Sequence, residues 1–161
     1  DMTVTISGAD LDEDLVYNLG NNGVDVDFAN NTYTVAADLI LNRDYTVKVE
    51  GAGYRTAEYN VTMTQDKKIV FWNNAKDYDD AMEIYEENGV EVKKGLTKIN
   101  FLAGDIVNDN QINIYDLSAV VSYFGQTNDT TAYSNYAKYD LNRDGVIDSK
   151  DVAYVLVSWN K

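Results

Sequence analysis

The chain has 161 residues, 45% hydrophobic and 12% aromatic, which is enough for one large domain or two small ones with a buried core. With neither cysteine nor histidine it can hold no disulfide framework and no thiolate or imidazole metal site, and Ser/His/Asp and Cys/His nucleophile systems are excluded. A net charge of −14, from 27 acidic and 13 basic residues, argues against the nucleic-acid backbone as partner and towards hard cations held by oxygen ligands.

Residues 1 to about 72 read as strands separated by turns. Met2, Val4 and Ile6 alternate with Thr and Ser; Tyr45, Val47 and Val49 alternate with Thr46, Lys48 and Glu50; Tyr59, Val61 and Met63 alternate with Asn60 and Thr62. Turn residues punctuate the stretch at Gly20-Asn21-Asn22-Gly23, Asn30-Asn31, Asn42-Arg43-Asp44, Gly51-Ala52-Gly53 and Gln65-Asp66. The spacing predicts an antiparallel β-sandwich. From Asn73 to Gly95 two readings compete. One is a helix capped by Asp77 and running from Tyr78 to Asn88. The other, which is favoured, is a hairpin of Glu83 to Glu87 and Val90 to Val92 about an Asn88-Gly89 type I′ turn. A last strand, Leu96 to Ala103, leads to a boundary at Ala103-Gly104. No Pro/Gly/Ser linker marks it, so the parts 1–103 and 104–161 are expected to pack together. No apolar run approaches the 18 residues of a membrane span and the N-terminus has no basic-then-apolar signal, so the chain reads as a soluble mature form or fragment whose targeting sequence has been left out.

After the boundary a pattern occurs twice, 35 residues apart. Residues 105–116 and 140–151 carry oxygen-bearing side chains at positions 1, 5, 9 and 12, and each is followed by an apolar helix pattern. Ca²⁺ takes six to eight oxygens at roughly 2.3–2.6 Å, which a 12-residue loop supplies from alternate positions and one carbonyl. In the second loop Asp140, Asn142, Asp144, the Val146 carbonyl, Asp148 and Asp151 fill those places. In the first they fall to Asp105, Asp109, Gln111, Asn113 and Asp116. Position 3 there is Val107, which has no side-chain oxygen, so the first of the two Ca²⁺ sites is expected to be weaker. Position 6, where the chain turns sharply, is Gly145 or Asn110; position 8 is Ile112 or Ile147, available to pack inward.

An EF-hand would place a helix before each loop as well as after it, whereas Lys98 to Gly104 reads as strand and turn. A loop followed by one helix, given twice in about 60 residues with Asp at position 12, resembles a dockerin, the calcium-dependent module that binds cohesins in cellulosomes. With Val at position 3, the run Gly104-Asp-Ile-Val-Asn-Asp-Asn-Gln-Ile-Asn113 looks most like the type II dockerin that ends scaffoldins, where an Ig-like X-module directly precedes it. The resemblance implies an all-β Ig-like X-module at 1–103 and a small, mainly α dockerin at 104–161 with two loop–helix repeats. It also implies a non-catalytic role: docking a scaffoldin onto a type II-like cohesin at the bacterial cell surface, for cellulose degradation, by a chain that is monomeric when free and does not insert into the membrane.

By that resemblance the cohesin contacts fall on Ile114, Tyr115, Ser118, Val121 and Ser122, and on Ser149, Lys150, Ala153, Leu156 and Val157. Two consecutive residues opening a helix cannot both point inward, so Ile114 and Tyr115 stand out as anchors. The helical runs Leu117, Val120, Val121, Phe124 and Val152, Val155, Leu156, Trp159 read mostly as core. Two alternatives stand: a dockerin appended to a glycoside hydrolase or other cellulosomal enzyme, and a carbohydrate-binding sandwich suggested by thirteen tyrosines. Tyrosine is also an ordinary residue of half-buried strands. The acidic runs Asp12-Glu13-Asp14 and Asp79-Asp80 are read as solvated charge, since a glycosidase needs two carboxylates held across a cleft.

Overall fold

The computed structural model describes residues 2–19, 24–27, 32–71, 81–96, 102–129 and 131–159. These fall into two compact units. The first takes the described residues of 2–51, 57–71 and 81–96; the second takes 52–56 and those from 102 onward.

The first unit is a β-sandwich region, with a small helical region following in the second. Its strands are β1 (Met2–Gly8), β2 (Leu15–Leu19), β3 (Asp25–Asp27), β4 (Thr32–Thr34), β5 (Asp44–Gly51), β6 (Gly53–Thr62, of which 57–62 belong here), β7 (Lys67–Val70), β8 (Ala81–Glu87) and β9 (Val90–Leu96). β1 pairs antiparallel with β2 on one side and with β5 on the other, and β6 lies beyond β5. The register sets Val4 opposite Val49 and Ile6 opposite Val47, and all four are buried. The period-2 pattern therefore does what its chemistry asks, putting one face of each strand into the core.

A second sheet runs β7-β8-β9, and β3 pairs with β4. The β8–β9 hairpin turns at Asn88 and Gly89, with φ of 53° and 77°, the two positive values a type I′ turn requires. Residues 81–96 thus form the hairpin of the two readings. Asp77 to Asp80, the turns at Gly20 to Gly23 and Asn30-Asn31, and 97–101 of the expected last strand lie outside the described residues.

Among the described residues this unit buries a charged side chain. Glu83 on β8 is 4% exposed; it accepts the hydroxyl of Tyr59 from β6 and pairs with the Lys67 ammonium from β7 at 2.9 Å. Lys67 Nζ also donates to the Thr62 carbonyl at 2.8 Å, so the buried charges are paired and hydrogen-bonded, as burial demands.

The second unit contains β10 (Ala103–Asp105), α1 (Ile114–Ser122), two single-turn 3-10 helices (Tyr133–Asn135 and Ala137–Tyr139) and α2 (Ser149–Ser158). β10 pairs antiparallel with the start of β6, Ala103 opposite Tyr54, and the Arg55 N–H donates to the Leu102 carbonyl at 2.8 Å. Its core is formed by Ile106, Ile112, Val120, Leu141, Ile147 and Val155 with neighbouring aromatics. Ile112 and Ile147, the matched loop positions, both reach it. Tyr123 stacks on Tyr139 with ring centroids 4.2 Å apart.

Candidate functional site

Both loops take the same backbone path. Residues at loop positions 4 and 6 have positive φ in each: Asn108 (59°) and Asn110 (62°), Arg143 (58°) and Gly145 (90°). Gly145 is also closely approached, since a Cβ there would lie 2.3 Å from Asn128 Nδ2. The adjoining ladder explains the closeness: Asn128 N–H donates to the Gly145 carbonyl at 2.8 Å, and Ile147 N–H to the Gln126 carbonyl at 2.9 Å.

The side chains at positions 9 and 12 do a task that ligand spacing alone does not reveal. Asn113 and Asp148 are the N-caps of α1 and α2, and Asp116 and Asp151 complete reciprocal capping boxes. Asp116 accepts the N–H groups of Ile106 (2.8 Å), Val107 (3.1 Å) and Asn113 (2.8 Å); Asp151 accepts those of Leu141 (2.7 Å), Asn142 (3.2 Å) and Asp148 (2.8 Å). Each is fully buried and clamps the first residues of its loop to the helix that leaves it. Among the described residues no α-helix enters either loop: β10 runs into the first, and the 3-10 turn Ala137–Tyr139 into the second.

The position-1 aspartates differ. Asp105 has both oxygens occupied, Oδ1 by Asp109 N–H at 3.0 Å and Oδ2 by Asn110 N–H at 2.8 Å. Asp140 accepts Gly145 N–H (2.9 Å) and the Tyr133 hydroxyl on Oδ2, while its Oδ1 is buried with no hydrogen-bond partner. Burial pushes the Asp105 carboxyl up; the N–H groups of Asp109 and Asn110 oppose this, and the charges of Asp116 and Asp109 add to it. Asp151 is likewise raised by burial, against its three backbone donors and with Asp140 adding to the rise. Burial and the bond to Asp140 push the Tyr133 phenol up to about 12.

Among the described residues no three acidic side chains stand gathered as a metal cluster, because the loop carboxylates are turned onto backbone N–H groups. The donor chemistry nevertheless suits Ca²⁺. Buried like-charged carboxylates want a counter-charge, and Asp140 Oδ1 is an orphaned buried acceptor of the kind a hard cation takes. Asn142 and Asp148 are half-buried beside it in the loop, whereas Asp109, Gln111, Asp144 and Val146 are exposed. The Lys150 ammonium sits on Asp144 at 2.5 Å and, with the Asn142 amide, holds that carboxyl below its usual range.

On the helices, Ile114 is 52% exposed, Tyr115 69% and Val121 51%, with Ser118 and Ser122 exposed between them. Both serines donate back to the helix, Ser118 to the Ile114 carbonyl and Ser122 to that of Ser118. On α2, Ser149, Lys150, Ala153 and Leu156 are exposed and Val157 is half-buried. Phe124 departs from the core reading: α1 ends at Ser122 and the helical period with it, leaving Phe124 about half exposed. Tyr133 is the site residue that spacing missed, since it lies outside both repeated segments. In the first unit a groove of about 620 Å³ is lined by polar groups including Asp14, Asp44, Thr46 and Asn60; Tyr45, its one aromatic, is buried and presents no stacking platform.

Residues 103–156 match the Dockerin type I domain family. The structure is similar to that of an N-terminal interface mutant of a type II cohesin–X-dockerin complex from Acetivibrio cellulolyticus, at 26% identity and TM-score 0.53, over 98% of this chain and 81% of that one. The C-terminal interface mutant of the same complex aligns over the same shares at 24% identity and TM-score 0.52, a likeness of fold. No curated protein sequence matches. With β-sandwich before loop–helix repeats, the chain is similar to an X-module–dockerin pair, and its residues 103–156 match the dockerin part.

Proposed function

We propose that this pair is a non-catalytic, calcium-dependent docking module that binds a type II-like cohesin and so attaches a cellulosomal scaffoldin to an anchoring protein at the bacterial surface. The X-module would occupy 1–103 and the dockerin 104–161, with one Ca²⁺ in 105–116 and one in 140–151. Asp105, Asp109, Gln111, Asn113 and Asp116 would serve the first ion, and Asp140, Asn142, Asp144, Val146, Asp148 and Asp151 the second. What chiefly supports the docking reading is the outward face of α1. Ile114, Tyr115 and Val121, each more than half exposed, lie on a nine-residue helix whose first turn is fixed by the calcium loop before it. Large apolar side chains held in water on a rigid element suit an interface core. The ion's role is to neutralise the loop carboxylates; presenting that face to the cohesin is the work of the helices.

The family profile carries the type I description while the solved neighbours are type II complexes; the β-sandwich directly before the loops favours type II for this chain. The test is capture from bacterial surface extract by the immobilised chain, with and without chelator. A type II cohesin-bearing protein retained only with Ca²⁺ supports the reading. Retention of type I cohesins alone would move the chain to the enzyme-borne class, and retention unaffected by chelator would remove the metal from the mechanism.

A further inference from the structure

Asp140 is held in a way its counterpart Asp105 is not. Tyr133, seven residues upstream at the start of a 3-10 turn, donates its hydroxyl to Asp140 Oδ2, which also receives Gly145 N–H at 2.9 Å from across the loop. Two donors on one oxygen fix the rotation of a carboxylate, and here they leave Oδ1 bare in a residue only 4% exposed. In the first loop both Asp105 oxygens are spent on Asp109 and Asn110 N–H, so no oxygen of that side chain is held back. The Tyr133 ring is itself anchored, part-buried against the core and edge-on to Tyr136 at 5.7 Å, so its hydroxyl is delivered by a supported side chain.

We infer that Tyr133 is a positioning residue for the second loop: it holds Asp140 with one free buried oxygen for a divalent cation, and so makes this loop the preorganised site that fills first. The inference rests on the calcium reading above. Residues that orient a metal-binding side chain without touching the metal change affinity by roughly 10- to 100-fold when altered. Tyr133→Phe keeps the ring and its packing and removes only the hydroxyl.

Ca²⁺ titration of the full chain carrying Asp109→Ala, which takes the position-5 carboxylate from the first loop, reads the second site alone. Adding Tyr133→Phe is expected to weaken binding about 10-fold while the helical circular dichroism of the Ca²⁺-saturated protein is unchanged. In a separate Asp140→Ala background, which isolates the first loop, Tyr133→Phe is expected to change nothing. Equal affinities with and without the hydroxyl at the second site overturn the inference. So does a matching loss at both sites with reduced helical circular dichroism at saturating Ca²⁺, which marks a packing role only. If the parent chain binds no Ca²⁺, or Asp140→Ala leaves both sites intact, the calcium reading falls and this inference with it. Asp140→Ala abolishing one site while Tyr133→Phe leaves it untouched overturns the role of Tyr133 alone.

Discussion

Asp109 donates its backbone N–H to Asp105 Oδ1 at 3.0 Å, whereas the equivalent donor of the second loop, Asp144 N–H, ends on Asn142 Oδ1 at the same distance. The cause is loop position 3. Asn142 offers an oxygen that intercepts the N–H; Val107 offers none, and the N–H falls back on the aspartate that should face the ion. Val107→Asn is therefore expected to act twice, adding a ligand and releasing Asp105 Oδ1. The first site should bind Ca²⁺ about 10-fold more tightly with the second unchanged. Calorimetric titration resolving the two sites checks this, and weaker binding in the variant would show that the loop is misassigned.

Chelation should unfold the loop–helix part while sparing most of the sandwich. Buried carboxylates at both loops repel without a counter-charge, and a cation binding only the folded form adds about 2.7 kcal/mol per site at a hundred times its Kd. The expected result in excess chelator is loss of helical circular dichroism and loss of amide protection across 105–158, with β1 and β5 still protected. An unchanged spectrum would contradict it.

The sandwich carries its own pH dependence. Burial pushes Glu83 up, but the Tyr59 hydroxyl and Lys67 ammonium outweigh burial and hold it below its usual value. A depressed carboxyl stabilises the fold above its unfolded pKa and loses that contribution as pH falls through the folded one. Acid should thus loosen this unit below about pH 4.5, the ordinary carboxyl value. Glu83→Gln should flatten the acid limb and cost about 3 kcal/mol by leaving Lys67 buried without its partner. Chemical denaturation at a series of pH values measures both, and an acid limb unaltered in the variant would remove Glu83 from the account.

The two helices should not be interchangeable in binding. Ile114 and Tyr115 are exposed apolar side chains at positions 10 and 11, whereas Ser149 is small and the Lys150 ammonium is already committed to Asp144. Ile114→Ala/Tyr115→Ala is expected to cost about 2 kcal/mol or more, roughly 30-fold in cohesin affinity, and Ser149→Ala/Lys150→Ala only a few-fold. Comparable small losses in the two would show that the module docks in two poses related by its internal repeat.

What the sequence could and could not reveal follows from the range of the forces involved. Alternation in β1 and β5, the Asn88-Gly89 turn and the paired loops are local patterns, and the backbone obeys them: the positive φ at Asn110 and Gly145 falls where loop geometry requires it. The pairing of β10 with the first residues of β6 joins segments some fifty residues apart and has no local signature. Tyr133 reaches Asp140 because two 3-10 turns fold it back, a path no periodicity encodes. Phe124 looked like core because it continued the helix period, but the helix stops two residues earlier.

The most direct test of the central claim is calorimetric titration of the full chain with a purified type II cohesin, first in Ca²⁺ and then in excess chelator. Tight one-to-one binding in Ca²⁺ and none in chelator is the predicted result. Equal affinity in both, or no binding in either while a type I cohesin binds, would contradict it.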